Sequence, residues 1–104
     1  MSEREGAYVV ASHLSIDPDG TTDLEQAFAE RLGEVEQAAG FRHLEVWRDA
    51  ETPGRYTMVT WWSSEADFRA YMGSAAHRRS HARIPRDPHA PHAEHLNRYR
   101  VIAT

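Results

Sequence analysis

Alternating hydrophobic and polar positions, typical of β-strands, occur in four stretches of the chain. They are residues 7–16, 41–48, 56–62 and 96–102. In the first stretch Tyr8, Val10, Ser12 and Leu14 share one face, whereas Val9, Ala11, His13 and Ser15 share the other. The adjacent Ser12 and His13 therefore point to opposite faces, which excludes a Ser–His nucleophile pair within this strand.

Apolar residues recur at helical spacing in two further stretches. The first starts with a capping box, Thr22 to Glu25, and ends before Gly40; its apolar positions are Leu24, Phe28, Leu32, Val35 and Ala39. The second is capped by Ser63 or Ser64, with Asp67 three residues after Ser64, and its apolar positions are Phe68, Tyr71, Met72 and Ala75. We expect Gly73 to weaken or kink this helix before it resumes toward His81.

The order β-α-β-β-α-β predicts an α+β fold of the ferredoxin-like type, an antiparallel sheet with both helices on one face. A single domain spans residues 1–104, with a tail at 1–6, a hairpin loop at 50–54 and a proline- and histidine-rich loop at 84–95. The uncovered sheet face would carry Trp61 or Trp62 and Val9 or Val10. A second copy packed face to face would bury these groups, so we expect a homodimer with a pocket between sheet and helices in each subunit.

Composition and charge argue against several classes of binding partner and cofactor. A net charge of −4, with acidic and basic residues interspersed, argues against nucleic acid and against an anionic membrane surface. The lack of a long apolar stretch and the charged first six residues predict a cytoplasmic protein without a membrane span. The chain contains no cysteine, and it has no glycine-rich fingerprint for flavin or nicotinamide binding.

Chemistry must therefore come mainly from histidines and aromatic residues. His77 and His81 lie one helical turn apart, which fits a two-histidine zinc or iron site, a pair of exposed polar residues, or His81 alone as a haem iron ligand. Four aromatic residues either pack as core and interface or form the wall of a pocket for a flat hydrophobic ligand; they are Trp61, Trp62, Phe68 and Tyr71. His89, His92 and His95 are expected to be solvated loop residues, with metal binding as the alternative.

Three segments, GFRHLEVWR (Gly40 to Arg48), YTMVTWWSSEADFRAY (Tyr56 to Tyr71) and SAAHRRSH (Ser74 to His81), resemble the antibiotic biosynthesis monooxygenase family. The resemblance extends over about residues 8–102 and implies a dimeric α+β barrel. The family includes enzymes that degrade haem, using the substrate haem to activate dioxygen. It also includes enzymes that oxidise polyketide phenols to quinones without a prosthetic group.

The haem-degrading branch has a pocket formed by an Asn on the first strand, a Trp on the second helix and a His later on that helix. The resemblance places Ser12, Tyr71 and His81 at these positions, so only the histidine is retained. It implies His81 as iron ligand, Tyr71 and Phe68 as rings against the macrocycle and Ser12 as a hydrogen-bond donor. Arg78, Arg79 or Arg83 would pair with the haem propionates through their forked guanidinium groups.

Three functions follow as hypotheses. The favoured one is an oxygen-dependent monooxygenase that binds or degrades haem. The second is a cofactor-independent monooxygenase acting on an aromatic polyketide or quinol, with Trp61, Tyr71 or a nearby His as a base or hydrogen-bond donor. The third is a non-catalytic barrel that binds a hydrophobic aromatic small molecule, because fold alone does not determine function.

Overall fold

The computed structural model describes residues 6–30, 33–75, 77 and 92–104. Its main elements are β1 (Tyr8–Ser15), α1 (Thr21–Ala29), β2 (Phe41–Arg48), β3 (Arg55–Trp62), α2 (Glu65–Met72) and β4 (His92–Arg100). The four strands form one sheet in the order β2-β3-β1-β4, and every neighbouring pair is antiparallel. The ferredoxin-like fold predicted from the sequence is confirmed.

Alternation along β1 creates two apolar clusters, one on each face of the sheet. On the face that carries the helices, Tyr8 and Val10 pack with Trp62 of β3 and Phe68 of α2. On the opposite face, Val9 and Ala11 pack with Val59, and Trp61 and Val101 lie against them. We call these surfaces the helix face and the open face. The sequence left open whether Trp61 or Trp62, and whether Val9 or Val10, lies on the face without helices. In the structure Trp61 and Val9 lie on the open face.

The first helix is shorter than the sequence pattern predicted, and its predicted capping box is wrong. A 3₁₀ turn at Pro18–Gly20 leads directly into α1, and the capping residue is Gly20, which has no side chain to cap with. The helix ends at Ala29, and a separate 3₁₀ turn, Glu34–Gln37, carries the buried Val35. Gly33 precedes this turn with a left-handed φ of 73°, a conformation that separates the two helical segments.

The start of α2 matches its prediction. Ser64 accepts a hydrogen bond from the backbone N–H of Asp67 at 3.2 Å, and its hydroxyl donates to Oδ2 of Asp67 at 2.9 Å. The helix ends at Met72, and Gly73 is its C-cap. A new helical turn follows, since Ala75 and His77 are helical and the backbone N–H of His77 donates to Oγ of Ser74 at 3.2 Å. Gly73 therefore interrupts the helix, as expected, and helical structure resumes at Ala75.

The last strand begins earlier than predicted, at His92 instead of Leu96. Prolines are absent after Pro91, so the backbone N–H groups needed for a strand ladder are available from that point onward. A shift in register between His13 and Leu14 of β1 lets Ala93 and His92 continue the pairing. The prediction that His92 and His95 belong to a loop is therefore wrong.

The hairpin between β2 and β3 follows the predicted loop. Asp49 accepts hydrogen bonds from the backbone N–H groups of Glu51 and Thr52, both at 2.8 Å, and these bonds lower the pKa of its carboxyl. Gly54 has a φ of 86° and lies against the backbone of Ile16, whose N–H donates to the Gly54 carbonyl at 2.8 Å. The hairpin is thereby attached to the end of β1. Among the described helices, none is long and apolar enough to cross a membrane.

Candidate active site

Trp62 is the centre of an aromatic cluster between the sheet and α2. Its side chain is 1% exposed, and its indole N–H donates to Oγ1 of Thr60 at 2.9 Å. Three rings surround it at centroid distances of 5.5 to 5.8 Å: Tyr71 (5.5 Å), Phe41 (5.6 Å) and Phe68 (5.8 Å). The structure thus brings together Phe68 and Tyr71, two of the residues predicted to contact a ligand.

Tyr71 lies at the border of this cluster and is only half-buried. One side of its ring faces Trp62, and the imidazole of His77 meets it edge-on at a centroid distance of 5.3 Å. Ser74 fixes the turn between them, because its hydroxyl donates to the Tyr71 carbonyl at 2.6 Å and accepts from the His77 N–H. A tyrosine and a histidine therefore stand side by side where α2 ends.

A row of four side chains crosses the helix face of the sheet at the level of Ser12. The strand register pairs Ser12 with Leu96 on one side and with Met58 on the other, and Met58 pairs with Val46. None of the four is fully buried, and Leu96 is 38% exposed although it is a large apolar residue. The row offers an apolar floor with one hydroxyl, which is the kind of surface that a flat aromatic ligand can lie against.

The structure does not bring Trp61 to this site. Trp61 lies on the open face, where its ring is 5.0 Å from the ring of His43, whereas its neighbour Trp62 faces the helices. Consecutive residues of a strand point to opposite faces, so the two tryptophans cannot contribute to one wall. Of the four aromatic residues that the sequence offered as one ligand wall, Trp61 therefore lies apart from the other three, and its place on the open face agrees with the alternative of core or interface packing.

At the other end of the helix face, α1 is connected to the sheet by polar contacts. The hydroxyl of Tyr56 donates to Oε2 of Glu25 at 2.6 Å, and Nη1 of Arg48 lies 3.2 Å from the same carboxylate. The hydrogen bond from Tyr56 is the main reason that the pKa of Glu25 lies below its ordinary value. Burial, followed by the neighbouring carboxylate, raises the pKa of Tyr56.

Two of the recesses bounded by described residues lie on opposite faces of the sheet. One of about 160 Å³ lies beside α1, between Phe28, Val46 and Tyr56. It is smaller than the roughly 300–1,000 Å³ of typical ligand pockets, so it is not by itself the predicted pocket. The other, of about 550 Å³, lies on the open face near the hairpin, where His13, Trp47 and Thr57 line it.

Histidines of the open face make contacts that the sequence did not reveal. The rings of His13 and His95 stack at a centroid distance of 4.5 Å, and Nδ1 of His13 is 3.1 Å from Oγ1 of Thr57. His43 is paired with Glu45 at 2.7 Å. Within the described part of the chain, no three histidine or acidic side chains are arranged to hold a metal ion.

Several predicted site residues lie outside the described part of the chain. They are His81, Arg78, Arg79, Arg83 and His89, so their assigned roles stay predictions. Conversely, the sequence interpretation missed Met58, Leu96 and Val46 as floor residues. Strand alternation would have placed Met58 on the same face as Trp62, but the register that aligns it with Ser12 and Leu96 is a property of the folded sheet.

Similarity to known proteins shows the family to which a chain with this geometry belongs. The family model "Antibiotic biosynthesis monooxygenase" matches residues 7–83, and the chain belongs to this family. Among curated proteins it is similar to a haem oxygenase (staphylobilin-producing) from Staphylococcus haemolyticus. The two are 35% identical over 68 residues, which cover 56% of this chain and 64% of the relative. The chain thus spans less than two thirds of the length of that relative.

Solved structures give the same picture of the fold. The haem degrader MhuD from Mycobacterium tuberculosis, with two haems bound in its active site, is 28% identical with a TM-score of 0.77; the match covers 93% of this chain and 97% of that one. SnoaB, a cofactor-independent oxygenase from Streptomyces nogalater, is 13% identical with a TM-score of 0.69 and coverages of 95% and 96%. The second likeness shows the fold alone, and the fold is therefore common to two different chemistries.

Proposed function

We propose that this protein binds haem between the sheet and the helices and degrades it in an oxygen-dependent monooxygenase reaction. The relatives with the higher sequence identity, at 35% and 28%, are described as a haem oxygenase and a haem degrader. The cofactor-independent oxygenase is related in fold only. This difference favours haem over a polyketide or quinol as the substrate.

The observation that carries the proposal is the pairing of an apolar floor with an aromatic ring on the helix face. Leu96, Ser12, Met58 and Val46 form the floor, and Tyr71 borders the same face from α2. Flat macrocycles are bound by apolar and aromatic surfaces that supply a few polar groups, and the floor supplies one hydroxyl. The residues present therefore fit haem as a substrate.

The roles of individual side chains follow from this arrangement. Tyr71 would pack on the macrocycle, supported from behind by the rigid Trp62 ring, and Phe68 would extend the apolar wall. Ser12 would donate a hydrogen bond into the space above the floor. His81 would ligate the iron through a neutral imidazole, and Arg78, Arg79 or Arg83 would pair with the propionates. Haem, as substrate, would supply the iron that activates dioxygen.

Haemin titration of the purified protein tests the proposal. We expect a shifted Soret band that saturates at a defined stoichiometry, and a large loss of affinity in His81→Ala. His43→Ala is the matched control, because His43 lies on the open face. Addition of ascorbate under air should then bleach the Soret band, also in the presence of catalase, which removes free peroxide.

The outcomes separate the hypotheses. If haemin gives no Soret shift, or if His81→Ala binds as well as the unchanged protein, the haem function is wrong. Turnover of an anthrone or a quinol by metal-free protein would then support the cofactor-independent oxygenase. Saturable binding of such a ligand with no oxygen consumption would support a non-catalytic binding protein.

The same proposal includes a homodimer formed through the open face. This face carries the apolar cluster of Val9, Ala11 and Val59, and it exposes two large aromatic side chains, Trp47 (50% exposed) and Tyr99 (52% exposed). Within one chain this cluster is already buried, whereas large aromatic side chains exposed on a sheet face are typical of a surface that another protein covers. A second copy would cover it by packing the two sheets face to face.

A further inference from the structure

Tyr8 carries a buried hydroxyl that lacks a hydrogen-bond partner. The residue is 5% exposed, its oxygen is inaccessible to solvent, and no described residue bonds to it. Buried tyrosine hydroxyls usually have a partner, because leaving one unpaired costs free energy that a phenylalanine would avoid. The hydroxyl of Tyr8 therefore requires an explanation.

Tyr56 is a buried tyrosine of the same sheet whose hydroxyl does have a hydrogen-bond partner. It is 3% exposed and, like Tyr8, it lies on the helix face, but its hydroxyl donates to Glu25 at 2.6 Å. The two tyrosines thus have similar burial and lie on the same side of the sheet. They differ in whether the protein itself supplies an acceptor.

The position of Tyr8 connects it to the candidate active site. Its ring is 5.9 Å from the ring of Phe68, and both belong to the cluster around Trp62 that Tyr71 borders. Ser12 lies four residues further along the same strand and the same face, about 13 Å away at the usual rise of a strand. Tyr8 and Ser12 therefore lie toward opposite ends of the helix face, with Tyr8 at the end where Tyr71 borders the aromatic cluster.

We propose that the Tyr8 hydroxyl donates a hydrogen bond to an acceptor oxygen of the bound aromatic ligand, which makes Tyr8 a specificity-determining residue of the site. The inference deepens the proposed function and rests on it. The acceptor is a carboxylate or carbonyl oxygen attached to a planar ring system. Haem offers the first, through its propionates, and a quinone offers the second.

The free protein provides the first test, by urea unfolding of Tyr8→Phe and Tyr56→Phe. An unpaired buried hydroxyl destabilises the folded state and contributes no hydrogen bond to it. Tyr8→Phe should therefore keep or raise the urea concentration at the unfolding midpoint. Removing the paired hydroxyl should lower the midpoint in Tyr56→Phe. If Tyr8→Phe lowers the midpoint as much as Tyr56→Phe does, the hydroxyl is satisfied within the protein and the inference is wrong.

Ligand binding provides the second test, with haemin and anthraquinone-2-sulfonate as probes. Loss of one hydrogen bond should raise the Kd of Tyr8→Phe roughly three- to tenfold. Tyr99→Phe, the same change at an exposed tyrosine of the open face, should leave the Kd within about twofold. A Tyr8→Phe effect confined to haemin identifies a carboxylate acceptor, and one confined to the anthraquinone identifies a carbonyl.

The two proposals fail in different ways. If the unchanged protein does not bind haemin, the haem function is wrong, and Tyr8 is then judged with the anthraquinone alone. If Tyr8→Phe binds every accepted probe as tightly as the unchanged protein does, the inference is overturned while the haem function stands. Failure of both probes to bind the unchanged protein overturns the inference as well.

Discussion

The hydroxyl of Tyr56 donates a 2.6 Å hydrogen bond to Oε2 of Glu25, and this contact joins α1 to the sheet. Among the nine residues of α1 only Leu24 is buried, at 9% exposure, so apolar burial alone attaches this helix weakly. Arg48 of β2 approaches the same carboxylate at 3.2 Å from the neighbouring strand. One carboxylate thus connects a helix to two strands.

This contact predicts a specific pH dependence. The pKa of Glu25 is lowered in the folded protein, mainly by the Tyr56 hydrogen bond, so ionised Glu25 stabilises the fold above its unfolded pKa of about 4.3. That stabilisation is lost as the pH falls through the lower, folded value. Glu25→Gln should therefore lower the urea midpoint at pH 7, and the difference from the unchanged protein should shrink below pH 4.

A double-mutant cycle tests whether the Tyr56 hydrogen bond causes the stabilisation by ionised Glu25. In the Tyr56→Phe background, Glu25→Gln should have a smaller effect at pH 7, because the hydrogen bond that lowers the pKa is already gone. Equal effects in both backgrounds would mean that Tyr56 does not stabilise the carboxylate.

Gly54 gives a second prediction, which concerns the close contact between the hairpin and the end of β1. Its φ of 86° is unfavourable for other residues, and a Cβ at this position would collide with the carbonyl oxygen of Ile16. Gly6 has a similar φ of 79° but open space around it, so Gly6→Ala measures the backbone cost alone. That cost is about 1–3 kcal/mol. Urea unfolding should show a clearly larger loss for Gly54→Ala than for Gly6→Ala.

The sequence predicted the sheet and its two faces well, for physical reasons that act within one strand. Alternation fixes which residues share a face, so the separation of Ser12 from His13 is confirmed by the positions of their neighbours in the two clusters. The capping signal at Ser64 and Asp67 is equally local, and the structure contains both of its hydrogen bonds.

Features that depend on several segments at once were less predictable. The helical spacing from Leu24 to Val35 persists across the break at Gly33, because a helix and a following 3₁₀ turn both direct apolar residues toward the sheet. The floor row depends on the register of three strand pairs, and no single segment encodes it. The partner of Tyr56 lies 31 residues away in α1, so it appears only in the folded chain.

The cap of α2 gives a third prediction, which links stability to the candidate site. Ser64→Ala removes both hydrogen bonds to Asp67 and should cost about 1 kcal/mol of unfolding free energy. Because α2 carries Phe68 and Tyr71, haemin affinity should fall in parallel. Ser63→Ala, at the exposed neighbouring position, should cost less than about 0.5 kcal/mol. Similar losses in the two variants would show that the cap does not stabilise the helix.

The open face gives a fourth prediction. If two copies pack through this face, Trp47→Glu places a charge where an exposed aromatic side chain would contact the partner and should produce a monomer. Light scattering after size exclusion should report about twice the chain mass of 11.9 kDa for the unchanged protein and the single mass for the variant. Ala66→Glu, at an exposed position of α2, should leave the dimer intact. A monomeric unchanged protein would contradict the proposed interface.

Ser12 gives the last prediction, which separates binding from turnover in the proposed reaction. Its hydroxyl is the single polar group of the floor row, and the other three members of the row provide apolar contact. Ser12→Ala keeps that contact, so haemin affinity should stay within about threefold. The rate of haem loss should fall about two- to tenfold, because the lost hydrogen bond is worth about 0.5–1.5 kcal/mol. Ser12→Asn replaces the hydroxyl with a longer hydrogen-bond donor and should restore or exceed the original rate. Asn is also larger than Ser, so the two variants change the shape of the floor in opposite directions. If both variants lose rate while their haemin affinity is unchanged, the shape of the floor limits the reaction and the hydrogen bond does not.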